Sequence, residues 1–387
     1  MAWLAMLALL ALALLAAAAV RSKNMGVWLP AYLRGGLRRR WRGTGPTHVL
    51  FCFVDHYEPM WGRVSYEQEC ARVERWRRRY PELCARHRDA DGRPPVHTFF
   101  YPAEEYRPEH LDELVALCRQ GIGEIEIHLH HHDDTAAGLR KSLREFNDLL
   151  MVRHDCLARD SVTGQARWAF IHGNWALDNA RPDGKYCGVN NELIVLREEG
   201  CYADFTLPCA PDPSQTRTIN SIYYAADDPQ RPKSHDRGVR VAVGRPASGD
   251  LMIVQGPLGL DWRQRKYGLL PRIENADVRA SMPPRPARVD QWVKAGIHVA
   301  GRPDWVFVKV HTHGTQERDE ETLLGQPMHA MHDYLERRYN DGQHYVLHYV
   351  SARELFNIAK AAEAGKLGNP GDYRDFLIAK PAYADQP

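Results

Sequence analysis

The sequence predicts an α/β fold, a distorted (β/α) barrel with insertions set behind one N-terminal transmembrane helix. Three observations predict it. The chain opens on a long apolar run. After it, short apolar runs alternate with amphipathic stretches, as in a βα-repeating fold. Polar, chemistry-bearing residues then recur just behind the apolar runs, where the βα loops of a barrel converge.

Ala2 to Val20 is an unbroken apolar run, at about 1.5 Å per residue long enough for a hydrocarbon core of about 30 Å. No charged side chain precedes it, whereas Arg21, Lys23, Arg34, Arg38, Arg39, Arg40 and Arg42 follow. The positive-inside rule places that basic side in the cytoplasm, which gives a single-pass inner-membrane protein with a cytoplasmic domain. A cleaved signal ending at the small-residue stretch before Val20 would instead put the domain outside, in the periplasm. Residues 1–23 are thus read as the anchor and 24–46 as a basic linker, whose Trp28, Tyr32 and Trp41 suit a lipid interface. The folded domain is expected over 47–380, with 381–387 as a tail.

Within that domain the strands are expected at 48–54, 96–101, 124–130, 166–173, 202–208, 251–256, 304–310 and 344–350. Helices are expected at 65–87 with an interruption near Pro81, and at 108–121, 190–200, about 319–339 and 352–364. The stretch from 209 to about 249, rich in Pro, Asp and Arg, is expected to be irregular. Six or more parallel strands with crossover helices favour a barrel over an open sheet.

Composition narrows the function. Lys plus Arg number 51 against 49 Asp plus Glu, so no global field draws nucleic acid, and no nucleic-acid partner is expected. The eight cysteines contain no C-x-x-C pair, which excludes a zinc ribbon and leaves them as buried small hydrophobes. Histidine stands out, at 19 residues, and it clusters at strand ends. The first strand runs into Asp55-His56-Tyr57-Glu58, the third into His128-Leu129-His130-His131-His132-Asp133-Asp134, and a late one into His311-Thr312-His313-Gly314. Imidazoles grouped in this way suit zinc or another divalent first-row metal. The spacing of His128 and His132 fits a strand end entering a turn, and a His128–His130 pair on one strand face is the rival set.

The block 97–132, HTFFYPAEEYRPEHLDELVALCRQGIGEIEIHLHHH, resembles the polysaccharide deacetylase (NodB-like) superfamily, with its TFF strand, its helix and its G-x-E-I segment ending in H-x-x-x-H. In looser form the resemblance runs from about residue 48 to 314. It implies a barrel of the glycoside hydrolase/deacetylase type and a hydrolase that removes acetyl groups from N- or O-acetylated sugars of a cell-envelope glycan or its lipid-linked precursor. It also implies one divalent metal ion, Zn2+ foremost, held by His128 and His132, with Asp55 as general base and His311 or His313 as the acid. His56 stands where the family has a metal-binding Asp, and either becomes the third ligand or passes that role to Glu58. The family's third and fourth motifs are replaced by Ile171-His172-Gly173-Asn174-Trp175 and by Asp261-Trp262. His172, Asn174, Trp175, Asp261 and Trp262 are accordingly expected to line the carbohydrate site, with a backbone N–H near Asn174 serving the oxyanion. Expected partners are the carbohydrate, the membrane through the N-terminal helix, and other envelope-glycan assembly proteins. Two other readings stay open: a glycoside hydrolase using Asp55 with Glu58 or Asp261, and a non-catalytic metal- or sugar-binding scaffold.

Overall fold

A computed structural model describes residues 2–35, 45–186 and 188–383. Eight strands form its parallel framework: β1 (Thr47–His56), β2 (His97–Pro102), β3 (Gly123–Leu129), β4 (Ala166–His172), β5 (Cys201–Asp204), β6 (Leu251–Val254), β7 (Trp305–Thr312) and β8 (Tyr345–Val350). Their lateral order is β7-β1-β2-β3-β4-β5-β6, every neighbour parallel, and β8 also pairs with β1. Beyond β6, Ile222–Ala225 and then Val239–Arg240 add antiparallel edges, inside the stretch expected to be irregular.

The helices are α1 (Ala2–Ser22), α2 (Met25–Gly35), α3 (Tyr66–Ala85), α4 (Pro108–Arg119), α5 (Ala136–Leu149), α6 (Glu192–Glu198), α7 (Pro286–Lys294), α8 (Gln326–Tyr339) and α9 (Ala352–Glu363). Ser65 caps α3, and the helix runs on through Pro81 without the expected interruption. Alternation along β1 divides the core in two. Val49, Phe51 and Phe53 pack against α3, α4 and α8, while Leu50, Cys52 and Val54 pack with β4 to β7 and α9.

The fold is α/β around a parallel sheet, but a closed barrel is not confirmed: among the described residues no ladder joins β6 to β7. Side chains hold that seam instead. Lys309 of β7 donates from Nζ to the Phe205 and Leu207 carbonyls at 2.7 and 2.6 Å. Gly256, just past β6, lies so close that a Cβ there would stand 2.4 Å from the Lys309 carbonyl oxygen.

Two N-terminal expectations need correction. The apolar run is helical, but among the described residues no helix is long and apolar enough to cross a membrane, so the transmembrane span is not supported. Arg21 ends the apolar part of α1, and the chain breaks at Asn24 with φ of 50°. The 24–46 segment is not wholly a linker either. Helix α2 docks on the domain, with Trp28 fully buried among Ala210, Ile219 and Leu258. Trp41 and the arginines 38–42 lie outside the described residues. Of the cysteines, Cys52, Cys84, Cys118, Cys156, Cys201 and Cys209 are buried free thiols, as expected; Cys70 is half-buried and Cys187 lies outside the described residues.

Candidate metal centre

The parallel strands deliver their C-terminal ends to one edge, and the centre forms there. His56 ends β1, Glu58 follows two residues later, and His128 lies near the end of β3; all three are buried with potential ligand atoms within 4.8 Å of one another. His130 and His313 complete the group around one carboxylate. Glu58 Oε1 lies 3.3 Å from His128 Nε2 and 3.0 Å from His130 Nε2, and Oε2 lies 3.2 Å from His313 Nδ1. Ligands about 2.0–2.1 Å from a tetrahedral ion stand about 3.3 Å apart, so these spacings match the edges of a coordination shell.

The tautomer of His128 supports that reading. Its Nδ1 is 2.9 Å from the carbonyl of Ile171, its register partner on β4. A carbonyl only accepts, so Nδ1 carries the proton and Nε2 presents a lone pair toward Glu58. His130 Nδ1 faces the Glu104 carboxylate, the carboxylate–histidine arrangement typical of metal ligands. The ring fits because residue 173 is glycine; a Cβ there would stand 2.3 Å from it. His56 Nδ1 is buried with no hydrogen-bond partner, as an unfilled ligand position would be. The donor set of imidazoles and one carboxylate fits a divalent first-row ion.

The charge pattern is sharply divided. Burial alone would raise Glu58, but the imidazoles of His128, His130 and His313 grouped around it outweigh that and hold the carboxyl well below its usual range. Burial opposes charge on His130, yet Glu104 and Glu58 lift its pKa to about 10. His313 is likewise raised by Glu58 against the cost of burial. Burial pushes His56, His128 and His311 down, so these rings are neutral near pH 7.

Several expected site residues lie elsewhere. His132 is 62% exposed and pairs with its neighbour Asp133 at 3.1 Å, because the chain has already left the strand; the second β3 histidine at Glu58 is His130. Asp55 points to the opposite face of β1 from His56. Its Oδ1 accepts the Gly314 N–H at 2.6 Å, and its Oδ2 lies 2.9 Å from His97 Nε2. The partner of Asp55 is thus His97. Trp76 Nε1 donates to the Gly314 carbonyl at 2.9 Å, so both polar groups of that residue are fixed and His313 beside it is set onto Glu58. The Asn174 N–H expected to meet an oxyanion instead donates to His172 Nδ1 at 3.1 Å. Trp175 does reach the centre, its ring 6.4 Å from His56 and 6.2 Å from His313. Asp261 and Trp262 belong to the hairpin of Gly259–Lys266 with Leu270–Glu274 and line a different cleft, of about 1010 Å³, against α2 and α7. That cleft shares no residue with the histidine centre. His311 is buried with its ring 6.3 Å from that of His56 and its Nδ1 unpartnered.

His172 joins a second buried group with His131 and Glu192. Here the tautomer argues against a metal. Because His172 Nδ1 accepts an N–H, its proton sits on Nε2, 3.9 Å from Glu192 Oε1, and no lone pair faces the group. His131, between Glu192 at 3.0 Å and Asp134 at 3.1 Å, is raised by both carboxylates against burial and reads as a buried ion pair.

Sequence reasoning undervalued Glu58 and His130 and missed Glu104, His97 and Trp76. The Glu104-Glu105 pair directly behind β2 was the available signal, since it sits at the same sheet edge as the histidines.

No protein-family model and no curated protein matches the chain. Among solved structures, a "putative glycoside hydrolase/deacetylase" from Parabacteroides distasonis is similar at 10% identity and TM-score 0.46, over 84% of this chain and 73% of that one. A 4-alpha-glucanotransferase from Thermococcus litoralis is similar at 12% identity and TM-score 0.36, over 86% of this chain and 47% of that one.

Proposed function

We propose that the chain is a metal-dependent hydrolase that removes acetyl groups from N- or O-acetylated sugars of a cell-envelope glycan or its lipid-linked precursor. The observation that carries this reading is the bare Nε2 of His128, fixed by the Ile171 carbonyl and aimed at a Glu58 carboxylate that His130 and His313 also face. His56, Glu58, His128 and His130 are the residues that would hold a divalent ion. Such an ion supplies a Lewis acid for an acyl oxygen and lowers the pKa of water. His313 holds a proton at Nε2 near neutrality, with Nδ1 tied to Glu58, and can pass it to a leaving amine. His311, kept neutral by burial, is unsuited to that task. Trp175 gives the sugar a flat wall beside both rings.

The test is metal content and hydrolysis together. Purified chain should bind one zinc at this centre and release acetate from an N-acetylglucosamine oligomer, with loss on chelation and recovery on adding zinc. His128→Ala and His130→Ala should abolish both, and His132→Ala neither. Hydrolysis unaffected by chelation would refute the metal role.

A second reading, a non-catalytic metal-binding scaffold, is favoured by Asp55, whose two oxygens are committed to Gly314 and His97. Zinc binding with no acetate release from acetylated sugars would select it. The glycoside-hydrolase reading loses Asp261, which lines the other cleft; its remaining pair, Asp55 and Glu58, has both Asp55 oxygens already engaged.

A further inference from the structure

We propose a second, peripheral divalent-cation site formed by His87, Asp333 and Glu336, which joins the end of α3 to α8. It goes beyond the strand-end centre and uses none of its residues. His87 lies just after α3; Asp333 and Glu336 are three residues apart on α8 and so share a helix face. Ligand atoms of the three lie within 4.8 Å of one another.

The tautomer of the His87–His329 pair decides which nitrogen of His87 is bare. Its ring is buried, and Nε2 lies 2.9 Å from Nδ1 of His329. When Nε2 donates there, Nδ1 is free to turn its lone pair to the two carboxylates. Nδ1 stands 3.3 Å from Glu336 and 3.8 Å from Asp333, near the edge lengths of a coordination shell. Glu336 is oriented from behind: its Oε1 accepts from the Arg88 N–H and the Tyr349 hydroxyl, each at 3.0 Å. Asp333 is 57% exposed, which leaves the remaining coordination positions to water.

Charge separates this group from its rivals. Neither Asp333 nor Glu336 has a Lys or Arg ion-pair partner among the described residues; Arg88 beside them spends a guanidinium nitrogen on the Cys84 and His87 carbonyls. Two carboxylates with no Lys or Arg paired to them are a charge that a divalent cation balances. The Asp89, Asp91 and His348 group offers the same residue types, but Arg374 already sits 3.3 and 3.0 Å from its two carboxylates. The His131, His172 and Glu192 group fails on the tautomer of His172.

Zinc itself is the probe. Full-length chain titrated with zinc against a competing chromogenic chelator should hold two ions, falling to one in His128→Ala, one in His87→Gln and none in the double variant. Asp333→Asn changes an exposed side chain, so folding is preserved, and it should weaken the second site at least tenfold. In the His128→Ala background, zinc should still raise the melting temperature, and adding His87→Gln should remove that rise. Two tight ions retained in both His87→Gln and Asp333→Asn would overturn the proposal, as would a wild-type chain that holds one ion and keeps it in His87→Gln. Loss of an ion in His87→Gln with none lost in His128→Ala would uphold this site and refute the strand-end reading instead.

Discussion

Asp55 and His56 are adjacent in sequence, yet strand alternation sends one toward α3 and the other toward the histidine centre. That separation bears on what Asp55 does. Its oxygens meet the Gly314 N–H and His97, so it acts on the centre by placing His313. Asp55→Asn keeps an oxygen for the Gly314 N–H and an amide N–H for His97, so it should retain zinc and most turnover. Asp55→Ala removes both contacts and leaves a buried N–H without an acceptor, at about 1–3 kcal/mol. It should melt lower and lose turnover through a displaced His313. Metal content, melting temperature and acetate release would separate the two variants. If Asp55→Asn retains zinc but turns over ~10²-fold more slowly, Asp55 moves a proton itself. The histidines were legible as residues because they cluster, whereas their partners were not. His97 and Trp76 lie 42 and 21 positions from Asp55, and nothing in the local pattern joins them.

The strands were the most legible elements, since short apolar runs, or strict alternation in the case of β3, mark them and all eight fall where those signals lie. The turn after β3 was read less well. Spacing alone left His130 and His132 open as partners of His128, and the structure brings in His130, which follows His128 by the two-residue period of the strand. Gly173 on the neighbouring β4 turn is what makes room for it. Gly173→Ala would drive a methyl into the His130 ring, an overpacking cost of about 1–3 kcal/mol. We expect zinc affinity at the strand-end centre to fall at least tenfold while the His87 group is untouched. Unchanged affinity in a zinc competition assay would mean that His130 is not a ligand. Helix α5 and the hairpin at 259–274 went unread, because their apolar positions are sparse among charged residues.

At the scale of the molecule, the N-terminal segment departs most from expectation. The MGVWLPAYL stretch was read by its charge and aromatics as an interfacial connector, but its helical spacing places Trp28 in a pocket of the domain. Emptying such a site of a Trp side chain costs about 3–5 kcal/mol. Trp28→Ala should therefore undock α2 before the rest unfolds. Hydrogen exchange should rise across residues 25–35 while β1 keeps its protection, and unchanged exchange there would contradict the docking. The same docking supplies one wall of the 1010 Å³ cleft, so Asp261 and Trp262 owe their surroundings to α2 and not to the strand-end centre.

The neighbouring rings of His130 and His131 turn to different carboxylates, Glu58 for one and Glu192 for the other. This makes the turn intolerant of a change in length. A deletion or insertion of one residue between His128 and His131 would present the wrong ring to each carboxylate and disable both groups together. Over drift in sequence, the side chain at 132 is free to change because it faces water, whereas position 133, with φ of 49°, favours Asp, Asn or Gly. The count of residues from β3 to His131 is what the fold has to keep.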